Sequence, residues 1–183
     1  MNTRRVEGFA LPATAHAVFE HGEERYLVLN DGRMMRFDGA DAPDIVLGLG
    51  PRPMGIMGDV VLTSDGSTAR LGDFSPRVEN VDGTGVVKAI PVEGALVVLD
   101  ERGTVQRWTP EVQQDVVNGV QSLHDANEAS VLVTQSVALS VHALDGSGLV
   151  WTRPTRGSHG ERITAGALVE GGGVLVAREG YAM

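Results

Sequence analysis

The chain has 183 residues and a mass of 19.3 kDa, with 42% apolar and 21% charged residues, the balance of one soluble domain with a sizeable core. It contains no cysteine, which excludes disulfide frameworks, thiol chemistry and cysteine-based zinc sites. Its 24 acidic residues outweigh 15 basic ones for a net charge of −9, a balance that repels phosphate backbones and argues against a nucleic-acid partner.

A short strand candidate, Arg5-Val6-Glu7-Gly8-Phe9, comes first, and a second follows at His16-Ala17-Val18-Phe19. A hairpin comes next: Tyr26-Leu27-Val28-Leu29, a turn at Asn30-Asp31-Gly32, then Arg33-Met34-Met35-Arg36-Phe37. Aspartate and glycine between two aliphatic runs give the positive φ angles that a tight β-turn requires. The same order returns with strand candidates at 44–48 and 54–57, then a hairpin over 60–71 that turns at Ser64-Asp65-Gly66. A third round has candidates at 77–81 and 86–90 and a hairpin over 96–108 that turns at Asp100-Glu101-Arg102-Gly103. In all three copies an arginine stands four residues after the turn glycine (Arg36, Arg70, Arg107) and a bulky apolar residue follows it.

The turn glycines at 32, 66 and 103 are 34 and 37 residues apart, and the next clear copy, at Gly180, is 77 residues on. Two steps fit that gap, and the intermediate hairpin is present as 130–134 and 137–144 around Gln135-Ser136. It lacks the glycine, so its turn must be built by other means. Short strand candidates precede it at 115–119 and 120–123, and the last hairpin at 161–164 and 165–169. The stretch 110–117 is also compatible with a helical turn. Elsewhere 24 glycines and 8 prolines interrupt any helical period.

Quartets of short strands at a period near 36 residues are the sequence mark of an all-β, five-bladed β-propeller of four-stranded antiparallel blades. The units run over about 4–39, 43–75, 76–110, 111–154 and 155–183 of a single domain. The last unit stops in its third strand, whereas Arg5-Val6-Glu7-Gly8 echoes Arg77-Val78-Glu79-Asn80. The N-terminal strand is therefore expected to complete the last blade and close the ring. A two-layer sandwich with evenly spaced strands, and a partial ring completed by another chain, are the competing architectures.

The fourth unit ends Ala143-Leu144-Asp145-Gly146-Ser147-Gly148-Leu149-Val150-Trp151, which resembles the Ala-x-Asp…Gly-x-x-x-Trp signature of PQQ-type propeller repeats. That resemblance implies a tryptophan packed between blades and no bound cofactor. As a small acidic chain of degenerate blades, the sequence also resembles the propeller subunit of bacterial MoxR–vWA–β-propeller systems. The implied partners are an AAA+ ATPase and a von Willebrand A-type protein.

Side chains able to do chemistry are few and scattered. No two of the five histidines share a ligand spacing, so no metal is expected. Asp31, Asp65 and Asp100 sit at hairpin tips, where aspartate shapes turns. Asp125 and Glu20, near the ends of inner strands, are the better candidates for hydrolysis, and neither has a recognisable partner. Arg36, Arg70 and Arg107 are expected to bridge to a neighbouring blade. No Gly-x-Ser-x-Gly elbow or phosphate-cradling loop is present, and no aromatic recurs at one repeat position as a sugar platform.

Two loops suit protein contacts. Arg52 and Met54 lie in the Pro-rich segment 49–57, where Met54 and Met57 could equally fill the core. Arg153, Arg156 and His159 lie in the only locally basic stretch, 152–160. The expectation is a non-enzymatic scaffold with protein partners and without cofactor, metal or nucleic acid. No apolar run reaches the ~18 residues of a membrane span, and no leader is recognisable, so a cytoplasmic location without membrane contact is expected. A lectin-like or ligand-binding propeller is the alternative, and a propeller hydrolase a further one.

Overall fold

A computed structural model describes residues 11–37, 44–72, 84–155 and 162–179. These form seventeen strands in five antiparallel sheets, each a simple meander. The first sheet holds β1 (Ala15–His21), β2 (Glu24–Leu29), β3 (Met34–Phe37) and β4 (Asp44–Leu47), and the second β5 (Pro53–Met57), β6 (Val60–Thr63) and β7 (Thr68–Arg70). The third is β8 (Val86–Val92), β9 (Ala95–Asp100), β10 (Val105–Trp108) and β11 (Gln113–Val117). The fourth is β12 (Val120–Ala126), β13 (Ser130–Gln135), β14 (Ala138–Ala143) and β15 (Leu149–Pro154), and the fifth β16 (Arg162–Val169) and β17 (Gly173–Glu179).

Three strand assignments differ from the sequence reading. Segments 44–48 and 115–119, read as opening a unit, pair with the hairpin before them: β4 lies beside β3 and β11 beside β10. A strand that follows a short link folds back beside the one it has just left. Segments 161–164 and 165–169 are not two strands. From Arg162 on they form one strand, β16, with a bulge between Ile163 and Ala165. The segment 110–117 supplies β11 rather than a helical turn. The N-terminal strand over 5–8, proposed to complete the last blade, and the candidate over 77–81 lie outside the described residues.

The turns show why the hairpins recur. At three of the tips an aspartate side chain accepts the main-chain N–H two residues on: Asp31 from Arg33 (3.2 Å), Asp65 from Ser67 (3.1 Å) and Asp100 from Arg102 (3.0 Å). Asp145 accepts from Ser147 in the same way (2.8 Å), but in the turn between β14 and β15. Such a bond mimics a main-chain turn and suits the short side chain of Asp or Asn. The fourth unit has no glycine between β13 and β14, and Ser136 itself adopts φ 40° there. That is how the missing glycine is replaced.

Packing follows strand parity. Alternate side chains of a strand face opposite sides, so a sheet between two others is apolar on both faces. In β9, Leu96 and Val98 join a cluster with Met57 and Leu62 of the second sheet, while Val97 and Leu99 join Val120, Leu123, Val131 and Val133 of the fourth. In β6, Val61 faces Tyr26, Val28 and Met34 of the first sheet, and Leu62 the third. Leu132, Leu139 and Val141 then pack against Ile163, Val174 and Val176 of the fifth. Four clusters thus join sheets that are consecutive in the chain. Fully burying one such Leu or Val contributes roughly 1.5–3 kcal/mol.

The two tryptophans differ. Trp108 is 5% exposed and seated between the second and third sheets, where its indole N–H donates to Gln106 Oε1 at 2.8 Å. Trp151 of the PQQ-like signature is 36% exposed and lies in a groove between the fourth and fifth sheets, beside Val150, Leu168 and Val169.

Candidate interaction rim

Pairing fixes which ends of the strands lie together. Ala15 pairs with Leu29 and Met34 with Leu47, so the start of the inner strand, the aspartate turn and the end of the fourth strand share one rim. Hydrogen bonds tie each link between sheets to a neighbouring turn. Ser64 N–H donates to Arg52 O (2.7 Å), Val86 N–H to Ser64 O (2.8 Å), Val120 N–H to Gly103 O (2.8 Å) and Thr155 N–H to Val137 O (2.8 Å). Gly103 allows this approach: a Cβ there would stand 2.7 Å from Val120 O.

On this rim all five inner strands bear a bulge near their start, one residue in for four of them and two for β16. Register shifts leave His16, Met54, Val87, Gln121 and Thr164 outside the ladders of β1, β5, β8, β12 and β16. A bulge turns a side chain out of the pleat and is frequent beside functional sites. The sequence carries no single signal for it, because the five bulged residues share no chemical type.

Of the residues singled out from sequence, Arg52, Met54 and Arg153 lie on this rim. Arg52 precedes β5; its N–H donates to Ser64 Oγ at 3.2 Å, and its guanidinium lies 3.7 Å from Met54 Sδ. Met54 is the bulged residue of β5 and packs, half-buried, against the cluster around Trp108. Arg153, near the end of β15, is exposed, and its side chain has no hydrogen bond or ion pair among the described residues. Arg156 and His159 lie outside the described residues. The arginines thus occupy the second and fourth sheets of one rim, without direct contact.

Two of the three repeated arginines correct an expectation. Arg36 pairs with Glu24 (3.4 Å) and Asp44 (3.6 Å), and Arg70 with Asp59 (4.0 Å), all within their own sheets rather than across to a neighbour. The cross-strand residue and the adjacent turn are nearer than the next sheet. Glu24 also accepts the Tyr26 hydroxyl, and burial together with that carboxylate pushes the phenol pKa up to about 12.

Inner-strand polar groups fasten the sheets to each other. Lys88 Nζ of β8 donates to the carbonyls of Leu123 (2.9 Å) and His124 (3.1 Å) on β12. Asp125 of β12 accepts the Leu168 N–H of β16 at 2.8 Å. The sole lysine of the chain therefore spans the third and fourth sheets, and the carboxylate considered for hydrolysis spans the fourth and fifth. Glu20, the other such carboxylate, pairs with Arg25 at 3.1 Å on the first sheet. His124 Nε2 lies 2.6 Å from Thr134 Oγ1, and burial, helped by the Lys88 charge, holds its imidazole below the ordinary value. His142 is lowered by burial. Among the described residues no group of three or more His, Asp or Glu side chains is placed to hold a metal ion.

Between the fourth and fifth sheets this rim opens into a cleft of about 570 Å³, lined by Gln121, Ser122, His124, Thr134, Ser136 and Thr164 among others.

Consecutive antiparallel sheets stacked face to face, with their links on shared rims, make the chain a β-propeller-like protein. No protein-family model and no curated protein matches it. Solved structures do. BBS1N in complex with ARL6DN matches at a TM-score of 0.55 and 17% identity, over 90% of this chain and 61% of that one; a second crystal of that complex gives 0.57 and 15% over the same shares. BamB from Moraxella catarrhalis matches at a TM-score of 0.50 and 11% identity, over 90% of this chain and 63% of that one. The chain thus spans about three fifths of the length of these neighbours.

Proposed function

We propose that the chain is a non-enzymatic protein-interaction module, a subunit of a bacterial assembly containing an AAA+ ATPase and a von Willebrand A-type protein. The observation that carries the interaction reading is the bulge repeated on every inner strand of one rim, beside the links that hold Arg52 and Arg153. A rigid scaffold that turns side chains outward along one edge suits a protein surface, since function on such folds belongs to the loops. Arg153, whose side chain has no ion pair among the described residues, supplies a cation on a chain of net charge −9, a suitable anchor for a partner carboxylate. The neighbour BBS1N was solved bound to another protein, which is in keeping with this reading.

The same reading makes the sheets five blades of a ring, sealed by the strand over residues 5–8. Leu29 and Met35 lie on the face of the first sheet turned away from the second, yet both are buried. Their burial supports a covering for that face.

The test is co-expression with AAA+ and von Willebrand A-type proteins encoded beside this chain. A stoichiometric complex on gel filtration is expected, weakened at least tenfold by Arg52→Glu with Arg153→Glu, which reverse both charges. A chain that elutes alone at micromolar concentrations of both candidates overturns the assignment.

A further inference from the structure

The cleft between the fourth and fifth sheets has a definite chemistry. Its lining residues are Gln121, Ser122, His124, Thr134, Ser136, Val137, Thr155, Ile163 and Thr164. Among these described residues five are hydroxyl residues, one a carboxamide and one an imidazole, and none is a carboxylate, ammonium, guanidinium or aromatic side chain.

Each property narrows the ligand. Phosphate and other anions call for Arg or Lys donors, and the described lining residues include none. A sugar ring ordinarily rests its apolar face on an aromatic side chain, and here only Val137 and Ile163 are apolar. Hydroxyl and carboxamide groups both donate and accept, as a main-chain amide does. Three of the lining residues, Gln121, His124 and Thr164, are bulged residues of neighbouring inner strands. Bulged residues stand outside their ladders, so these three put main-chain polar groups beside the cleft that no neighbouring strand pairs in register. An extended main chain would supply partners for them. The volume, about 570 Å³, is in the range of pre-formed ligand sites and suits a few residues of peptide.

We infer that this cleft takes an extended, uncharged peptide segment of the partner, held by main-chain hydrogen bonds to the bulged edges of β12 and β16 and to the hydroxyls around them. The inference rests on the interaction reading above and assigns the partner's segment to one place on the rim. The residues nearest the opening, Gln121, Ser122, Ser136 and Thr164, are exposed and can be replaced without disturbing the core.

The experiment is an amide NMR titration of the full chain with the capped peptide Ac-Gly-Asn-Ser-Gly-NH2, alongside trehalose and inorganic phosphate at the same millimolar concentrations. The peptide is expected to shift the resonances of Gln121, Ser122, Ser136 and Thr164 saturably, leaving Trp151 on the other rim unmoved. Ser122→Glu and Thr164→Glu should each weaken binding about tenfold, because a carboxylate there must be desolvated against unmatched main-chain carbonyls. Val150→Glu should leave it unchanged. Shifts with trehalose or phosphate instead, or none with the peptide at tens of millimolar, overturn the inference. Complex formation separates the two readings. If the Glu variants leave the complex intact while Arg52→Glu with Arg153→Glu abolishes it, the rim reading stands and the cleft fails. If the peptide binds and no complex forms, the cleft stands and the assembly fails.

Discussion

Replacing Leu96 with alanine opens a cavity between the second and third sheets, and replacing Gly55 with alanine should partly refill it. Leu96 is fully buried among Met57, Leu62, Val86, Val98 and Trp108. A Cβ on Gly55 would lie 2.8 Å from both terminal methyls of Leu96, closer than carbon atoms tolerate, which is why β5 carries glycine there. Leu96→Ala alone should cost about 3–5 kcal/mol, the transfer loss plus the unrelaxed cavity. Gly55→Ala alone should cost about 1–3 kcal/mol of overpacking, softened because a leucine can rotate and because alanine is less costly than glycine to order in a strand. In the double variant the new methyl enters the space the leucine has left. The pair should then lose at least 1 kcal/mol less than the two singles added together, a coupling in the range found for touching side chains. Urea unfolding followed by the fluorescence of Trp108, in the same cluster, measures all three variants. Losses that add to within about 0.4 kcal/mol would refute the direct contact on which the argument stands.

Four further outcomes are expected. Asp65→Ala should lower stability by about 1–3 kcal/mol, because Asp65 Oδ1 accepts from the Thr63 hydroxyl, the Ser67 N–H and the Ser67 hydroxyl, and Thr63 and Ser67 are both buried; a change below 0.5 kcal/mol in denaturant titration would contradict this. Lys88→Met should move the His124 titration upward in NMR, yet leave it below the ordinary imidazole value, since burial is the larger cause and the lysine charge the smaller. His124 and His142 are lowered in the folded chain, so above pH 6.5 they are neutral in both states and cost nothing; as pH falls below 6.5 the unfolded chain takes up protons first and stability drops until the folded values are passed. A His124→Gln, His142→Gln variant should therefore lose less stability than the parent between pH 7 and pH 5, and equal losses would refute that linkage. Trp108→Ala should cost about 3–5 kcal/mol and Trp151→Ala less than half as much, given 5% against 36% exposure, and a reversed order in thermal melts would overturn the packing scheme.

Much of the fold was legible because two local rules repeat. Asp-Gly turns between aliphatic runs marked the hairpins around Gly32, Gly66 and Gly103, and the spacing between them exposed the fourth copy despite Ser136. The continuous runs Leu96-Val97-Val98-Leu99 and Val131-Leu132-Val133 also showed strands buried on both faces. Strand partnership was harder to read. Asp44–Leu47 lies between two hairpins, and only hydrogen bonding decides that it joins the earlier one. The bulges could not be read at all, because skipping His16, Met54, Val87, Gln121 and Thr164 depends on ladder geometry rather than on side-chain type. Lys88 did leave a trace, as the sole lysine amid an apolar strand, but its acceptors are carbonyls, which have no sequence signature. Arg36 and Arg70 misled in range only: their regular position spoke for a structural role, while the partner was a residue one strand or one turn away.

The alternation of side chains between two neighbouring sheets also bears on how the molecule comes apart. Among the described residues, detaching β16 and β17 breaks one apolar seam and detaching the third sheet breaks two, with its Leu96 and Val98 on one side and Val97 and Leu99 on the other. The side of the fifth sheet that the proposed ring closure has to cover is therefore the weakest join. Leu175 already stands 67% exposed on the side of the fifth sheet away from the fourth. Deuterium should therefore enter the amides of β17 first and those of β9 and β13 last, a gradient running along the chain from its rear sheet toward the middle.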